Sequence, residues 1–408
     1  MSTETVLPVM LTLVLGSLLT HLVAEHSRVR APVWASFGLH VFIGFTIYAV
    51  LGFYVPDAGD YDEIAQSYVA FWNHDLASSP NFTVGKEGWV LILAGLYFAL
   101  GHVPLVGVVV NAMASAITTS LVMGTTSRIG RPDRARVAGW LSLSPQFLLW
   151  ASLLLRESLA WMLTAVLMWA AVGIVTRVGR LNAVLFFAAF AGMLWIRGTV
   201  AVVLVLGIGL GVIASLKRVP SAFLVGAVAI GAVGGPLVAR VTALTGGTNI
   251  EGLNAARASL TTARSGFGTT AYSDPVSIVQ SLPNTFPRAL LGPYPWELPS
   301  LPAEGVIDLV TWLILLALAW RGWRSSSRGK LQICAIPAIC LLAVIGATAG
   351  NYGTMIRLRV QATVLIIPMA AVGSRRTTAA RSTPTATKSW GTPAMYGSRS
   401  RTTSSSKT

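Results

Sequence analysis

Apolar runs long enough to cross a bilayer recur along most of the chain, from Thr5 to Gly373. Each run is continuous, and a helix of about 20 apolar residues crosses a hydrocarbon core of about 30 Å. Strands of a membrane barrel would instead alternate apolar and polar residues. Since 54% of the 408 residues are hydrophobic and 11% are charged, the chain is far more apolar than a soluble domain requires. The sequence therefore predicts an all-α polytopic membrane protein.

The basic residues between the runs predict how the chain threads the membrane, since cytoplasmic loops are rich in Lys and Arg. Six basic clusters are assigned to the cytoplasm: Arg28/Arg30, Arg128/Arg131/Arg134/Arg136, Arg177/Arg180, Lys217/Arg218, Arg321/Arg324/Arg328/Lys330 and Arg375/Arg376/Arg381. About eleven transmembrane helices result, at 5–24, 31–55, 104–126, 137–155, 158–176, 181–196, 199–216, 221–239, 306–320, 331–349 and 360–373. The N-terminus is then outside and the C-terminus inside.

Residues 88–126 are apolar enough for two helices, but an outer loop before them and a cytoplasmic loop after them require an odd number of crossings. We therefore predict that residues 88–101 form a re-entrant or interfacial helix. Its Trp89, Tyr97 and His102 suit the headgroup boundary. A leader without basic residues and without a convincing cleavage site favours a retained first span over a signal peptide.

The threading divides the chain into a transmembrane domain, 1–373, and a basic tail rich in Ser and Thr, 374–408. Two large loops, 56–103 and 244–305, fall on the extracytoplasmic side, where packed loops are typical places for functional groups. The tail has almost no large apolar side chains, which predicts a disordered cytoplasmic segment.

Several function classes lack support in the sequence. The net charge of +15 would suggest nucleic acid in a soluble protein, but here the basic residues lie between spans and no nucleic-acid-binding module is visible. There is no Walker phosphate loop, Rossmann glycine fingerprint, His-Glu-x-x-His motif or Gly-x-Ser-x-Gly elbow. Nucleotide-driven transport, zinc proteolysis and serine-esterase chemistry are therefore not indicated.

An acidic stretch in the first outer loop is the leading candidate site. The chain has only 15 Asp and Glu residues, yet four of them lie within seven positions, Asp57, Asp60, Asp62 and Glu63. Asp57 could take a proton from a sugar hydroxyl or anchor a divalent cation beside a phosphate. Asp60-Tyr61-Asp62 fits a weak metal-binding pattern, so a bound divalent cation is one alternative. A solvated acidic loop is the alternative.

Charged residues elsewhere fall at the same predicted face. Lys86 and Glu87 close the first outer loop and either anchor an interfacial helix or contact a phosphate. Arg156 and Glu157 lie between two spans, where they form either a local ion pair or the lining of a cavity.

Three arginines depart from the positive-inside trend: Arg197, Arg357 and Arg359. Guanidinium groups bind phosphate oxygens in a forked geometry, so these side chains could hold a lipid phosphate at the outer leaflet. Contact with anionic headgroups is the alternative for these three. Arg288 is a further phosphate-binding candidate in the second outer loop, where its neighbours Tyr294 and Trp296 could stack on a sugar or seat the loop at the interface.

Three segments carry a resemblance to a known family: Pro56-Asp57 with Tyr61 and Ile64-Ala65, Gly88-Trp89-Val90-Leu91 through Leu100-Gly101, and Leu143-Ser144-Pro145 through Arg156-Glu157-Ser158-Leu159. The layout resembles the GT-C class of integral membrane glycosyltransferases, which includes bacterial relatives of dolichyl-phosphate-mannose protein mannosyltransferases. The resemblance covers roughly residues 50–200 and implies that Asp57 is the general base, with Asp60 as the substitute. It also implies a polyprenyl-phosphate-linked sugar donor and transfer on the extracytoplasmic face with inversion.

The resulting expectation is a multi-pass glycosyltransferase of a bacterial plasma membrane, surrounded by membrane lipids and acting on a glycan, lipid or protein acceptor. Two alternatives remain. A membrane polysaccharide polymerase of the O-antigen type would share an acidic, Tyr-containing outer loop followed by a Glu-Gly segment, as in Lys86-Glu87-Gly88. A non-enzymatic carrier or flippase would instead place charged residues near mid-span along a pathway.

Overall fold

A computed structural model describes residues 3–27, 29–53, 55–74, 87–176, 179–215, 250–261, 266–267, 271–300, 303–325 and 328–374. These residues confirm the predicted all-α class. They contain fourteen α-helices: α1 (Thr3–Glu25), α2 (Ala31–Leu51), α3 (Pro56–Trp72), α4 (Glu87–Leu100), α5 (Pro104–Arg128), α6 (Ala135–Leu141), α7 (Pro145–Ala151), α8 (Glu157–Thr176), α9 (Arg180–Ser215), α10 (Ile250–Thr261), α11 (Pro275–Leu291), α12 (Ala303–Ser325), α13 (Arg328–Thr348) and α14 (Tyr352–Gly373). A single isolated β-bridge joins Gly266 to Asn351 in the described chain.

Eight of the described helices are long and apolar enough to cross a bilayer: α1, α2, α5, α8, α9, α12, α13 and α14. Their outer surfaces remain apolar, as at Leu7 and Val14 of α1, which are 73% and 61% exposed. A contiguous apolar surface of this kind suits lipid rather than water. The helices therefore support a polytopic membrane protein.

The predicted span 137–155 is not one helix. Helix α6 ends at Leu141 and α7 begins at Pro145, so the segment is two short helices separated by a turn. Proline lacks the backbone N–H that a continuing helix needs and disfavours helical geometry in the residue before it. Ser144 accordingly has a non-helical ψ of 148°, and Pro145 starts the next helix.

Helix α9 contains the two predicted spans 181–196 and 199–216, and it bends between them. Arg197 has non-helical dihedral angles, φ −158° and ψ 76°. Asn182, near the start of α9, binds Arg128 at the end of α5. Arg197, in the middle of α9, binds Glu157 at the start of α8. Ser215, where α9 ends, lies beside Gly329 at the start of α13. The two arms of α9 therefore run in opposite directions through the bundle.

These contacts define two ends of the helical bundle. The site end is the end at which Glu157 and Arg197 lie, and the basic end is the end at which Arg128 and Asn182 lie. Helix α13 runs from the basic end to the site end, because α14 follows it and binds Glu157 through Arg357 near its own start.

Helix α14 is the central helix, because nearly all of its side chains from Val360 to Gly373 are buried. The largest apolar cluster packs around it and joins side chains of α8, α9, α12 and α13, including Trp312 and Met168. Residues near the start of α14 are thus held at the centre of the site end.

The predicted loop segments also contain helices. Residues 56–103 form α3 and α4, and residues 244–305 contain α10 and α11. The expected helix at 88–101 is α4, whose 14 residues are too few to span a bilayer. The predicted span 221–239 lies outside the described residues, as does the tail apart from Ser374.

Candidate functional site

Two carboxylates and two guanidinium groups from four helices form one ionic cluster at the site end. Arg357 Nη1 of α14 donates to Asp57 Oδ2 of α3 at 2.7 Å, and Arg357 Nε lies 3.1 Å from Glu157 Oε1 of α8. Arg197 Nη2 donates to the same Glu157 oxygen at 2.7 Å. We call these four residues the ionic cluster. Glu157 is its centre because both arginines meet on Oε1.

The positions of the two carboxylates follow from local helix chemistry. Asp57 lies in the first turn of α3 behind Pro56, and Glu157 lies in the first turn of α8. The first backbone N–H groups of a helix have no intrahelical partner, and the helix dipole is positive there. Both helix starts therefore favour a negative charge at these positions, whether from a side chain or from a bound anion.

The bend at Arg197 is held by a close helix contact. Gly88 of α4 packs directly on the backbone before the bend, and a Cβ at this position would lie 2.7 Å from the Trp195 carbonyl oxygen. Only glycine allows this approach. The contact of Gly88 with the Trp195 backbone thus helps to hold Arg197 in place. Trp89, the residue after Gly88, is fully buried.

The ionic cluster runs from the protein surface to its interior. The Asp57 side chain is 33% exposed and that of Arg357 is 17% exposed. Glu157 is fully buried, and its Oε2 atom has no hydrogen-bond partner among the described residues. Arg197 is also buried, and its Nη1 atom has no hydrogen-bond acceptor among the described residues. Buried charges are costly unless they are paired, so a cluster with open donor and acceptor positions is a strong candidate for ligand binding.

Arg156 adds a third positive charge to this neighbourhood, and its Nη1 donates to the Ile196 carbonyl at 3.3 Å. Tyr61 of α3 is buried beside the same charges. Burial raises the pKa of the Tyr61 phenol, and Arg156 opposes this effect while Glu157 adds to it. Arg156 therefore adds positive charge beside the ionic cluster.

The structure places the remaining predicted site residues elsewhere. Arg288 donates to Glu297 at 3.1 Å and to the Tyr352 hydroxyl at 2.8 Å. Arg359 is fully buried and donates to Asp308 at 2.9 Å and to the Gly292 carbonyl at 2.6 Å. These two arginines therefore belong to other polar contacts than the ionic cluster.

Three further predicted site residues lie in the first outer loop: Asp60, Lys86 and Glu87. Asp60 is exposed on α3, and Glu87 is half-buried at the start of α4. Lys86 lies outside the described residues. Among the described residues, no group of three or more His, Cys, Asp or Glu side chains is arranged to hold a metal ion.

A second polar cluster on α3 was not predicted. Asp62 is buried and accepts a hydrogen bond from the Tyr97 hydroxyl at 2.6 Å, while both its oxygens lie 3.0 Å from His102 Nε2. Gln66 Nε2 also donates to Asp62, at 2.8 Å. Burial and the Asp62 hydrogen bond raise the pKa of the Tyr97 phenol.

Trp89 and Tyr97, which were expected to suit the headgroup boundary, pack inside the protein. Both side chains are buried, and Tyr97 instead joins α4 to α3 through Asp62. The sequence offered one signal for this cluster, because Asp62 belongs to the acidic stretch and His102 lies just after the end of α4. Its partners became visible only from the helix packing.

Replacing Asp62 with Asn should destabilise the α3–α4 pair. The amide nitrogen of the substituted side chain would face a donor, Gln66 or His102, and a buried donor left unsatisfied costs about 1–3 kcal/mol. A lower thermal unfolding midpoint is expected, with unchanged stability for the exposed control Asp60→Asn. Equal midpoints for both variants would contradict the proposed role of Asp62.

Comparison with known proteins gives no relative for this chain. No family model matches it, and no significant match was found among the curated proteins or the solved structures.

Proposed function

We propose that this protein is a membrane glycosyltransferase that moves a sugar from a polyprenyl-phosphate donor to an acceptor hydroxyl. The observation that carries the proposal is the ion pair between Asp57 and Arg357, which joins a partly exposed carboxylate to a guanidinium that also contacts Glu157. A transferase of this kind needs a proton acceptor and a phosphate-binding group next to each other. The ionic cluster supplies both.

Arg357 is the group that couples donor binding to the base. In the Asp57–Arg357 pair, the Asp57 Oδ2 atom accepts a hydrogen bond from the guanidinium, so this oxygen is occupied. A donor phosphate would compete for Arg357 and draw it away from Asp57. Asp57 would then be free to accept a proton only when the donor is bound.

The chemical step balances with these groups alone. The acceptor oxygen attacks the anomeric carbon, and its proton passes to Asp57. The bond between the anomeric carbon and the phosphate oxygen breaks, and the electron pair stays on the leaving lipid phosphate. Arg357 and Arg197 neutralise the charge that develops on this phosphate, while Glu157 holds both guanidinium groups in place.

The charge distribution supports an extracytoplasmic site in a cell membrane. Arginines cluster at the basic end, namely Arg30, Arg128, Arg131, Arg134, Arg136, Arg180, Arg321 and Arg324. Positive residues favour the cytoplasmic side, so the site end would face away from the cytoplasm. The paths of α9 and of α6–α7 between the two ends are consistent with ten of the eleven predicted crossings, and the predicted crossing at 221–239 lies outside the described residues.

A transfer assay tests this proposal. Purified protein is mixed with radiolabelled polyprenyl-phosphate hexoses and pentoses and with a membrane fraction as the source of acceptors. We expect label in a glycan, lipid or protein product together with release of polyprenyl phosphate. No transfer from any donor by folded protein would contradict the proposal.

A polymerase of lipid-linked repeat units is the second candidate, because the guanidinium groups of Arg197 and Arg357 could also hold a lipid diphosphate. Its product would lengthen in steps on the lipid, whereas single transfer gives one product size. A carrier would need charges along a mid-span pathway, but the ionic cluster lies at helix ends.

A further inference from the structure

A cavity with a mainly apolar lining lies at the basic end, away from the ionic cluster. Its volume is about 550 Å³, and it lies between α1, α5 and α8 beside the start of α6. Its lining combines apolar side chains with serines, one histidine and one arginine: Leu22, Val23, His26, Ser27, Ile117, Ser120, Leu121, Met123, Gly124, Ser127, Arg128, Ala135 and Trp169.

Arg128 is the charged group of this cavity. Its guanidinium stacks on the Trp169 ring, 3.3 Å from the ring centroid, and Gly124 leaves room for the indole. Arg128 Nη1 donates to the Trp169 carbonyl at 2.9 Å and to Asn182 Oδ1 at 3.1 Å. Both acceptors are neutral, so these bonds fix the orientation of the guanidinium without balancing its charge.

No carboxylate of the described chain lies within ion-pair distance of Arg128. The two acidic residues nearest in sequence to the cavity walls are engaged elsewhere: Glu25 pairs with His21, and Asp133 pairs with Arg131 and Arg134. A half-buried cation without a counter-charge is costly, and an anion that enters the cavity would relieve this cost.

The walls indicate what kind of anion would fit. The hydroxyl oxygens of Ser27 and Ser120 lie 2.6 Å apart where the chain after α1 contacts α5. His26, the residue before Ser27, is exposed. Leu22, Ile117 and Leu121 supply an apolar surface next to these polar groups. A ligand with a phosphate beside an acyl chain would match both surfaces, whereas free phosphate would match only the polar one.

We propose that this cavity binds the headgroup of an anionic membrane phospholipid, with the phosphate on Arg128 and the upper acyl chain against α1 and α5. The site is separate from the ionic cluster and does not depend on the proposed transferase activity. Its occupant would be a lipid of the cytoplasmic leaflet if the basic end faces the cytoplasm.

Lipid binding to delipidated full-length protein in detergent tests the proposal. Phosphatidylglycerol should bind and raise the thermal unfolding midpoint, and phosphatidylcholine should bind more weakly because its choline adds positive charge. Arg128→Gln should weaken phosphatidylglycerol binding about tenfold or more, as expected for a charge-assisted phosphate contact. The control Arg136→Gln makes the same charge change at an exposed position of the same end and should bind normally.

A second variant separates binding from folding. Ser120→Phe fills the cavity without changing charge and should also weaken binding, while native-state helicity without lipid shows that each variant is folded. Equal binding by Arg128→Gln and Arg136→Gln would overturn the proposal. So would stabilisation by inorganic phosphate alone with none by phosphatidylglycerol, since that result would assign the cavity to a free anion.

Discussion

Replacing Asp57 with Asn is expected to reduce sugar transfer by about a hundredfold to ten-thousandfold, the range for loss of a general base. The amide cannot accept the proton of the acceptor hydroxyl. It can still accept a hydrogen bond from Arg357, and the position is one-third exposed, so the fold should tolerate the change. The measurement is the initial rate of transfer from the labelled donor, with the unfolding midpoint recorded for each variant.

Asp60→Asn is the matched control for Asp57→Asn. It makes the same chemical change on the same helix, three residues further along, at an exposed position. We expect wild-type transfer from it. A wild-type rate for Asp57→Asn, or an equal loss in both variants, would remove Asp57 from the role of base.

Replacing Glu157 with Gln is expected to cost about 3–5 kcal/mol in the free energy of unfolding, the range for breaking a buried ion pair. Glu157 is fully buried and is the shared partner of Arg197 and Arg357. Its loss leaves a buried guanidinium at Arg197 without a carboxylate. Detergent-unfolding titration gives the free energy, and expression level gives an independent indication of folding.

Two comparisons make the Glu157 prediction specific. Glu297→Gln removes a carboxylate from the more exposed pair with Arg288 and should cost much less. The double variant Glu157→Gln with Arg197→Met should lose less stability than the sum of the two single variants, because the unpaired cation is then absent. Additive losses would show that the two side chains are not coupled.

The sequence predicted that Asp57 and Arg357 lie on the same side of the helices but not that they contact each other. Apolar run lengths and basic clusters set the direction of each span, which placed Asp57 and Arg357 on one side although they are 300 residues apart. Which arginine reaches Asp57 depends on helix rotation. Arg357 and Arg359 are two positions apart on α14 and therefore point about 200° apart around its axis.

Packing also decided the residues that sequence reasoning missed. Asp308 lies in an apolar helix and pairs with Arg359, 51 positions later in the chain, a contact that no local spacing indicates. Asp62 was noticed as part of an acidic stretch, but its partners Tyr97 and His102 follow an apolar segment whose depth the hydropathy pattern does not specify. By contrast, the bend at Arg197 was predictable, because Arg197-Gly198 interrupts an otherwise apolar run.

A structure with a non-reactive polyprenyl-phosphonate sugar bound is the most direct test of the ionic cluster as a donor site. We expect the phosphonate within about 4 Å of the Arg357 guanidinium, the distance of an ion pair, with Arg197 adjacent and Asp57 released towards the acceptor opening. An Asp57–Arg357 pair that stays intact while the lipid headgroup binds on another flank of the bundle would contradict the proposed mechanism.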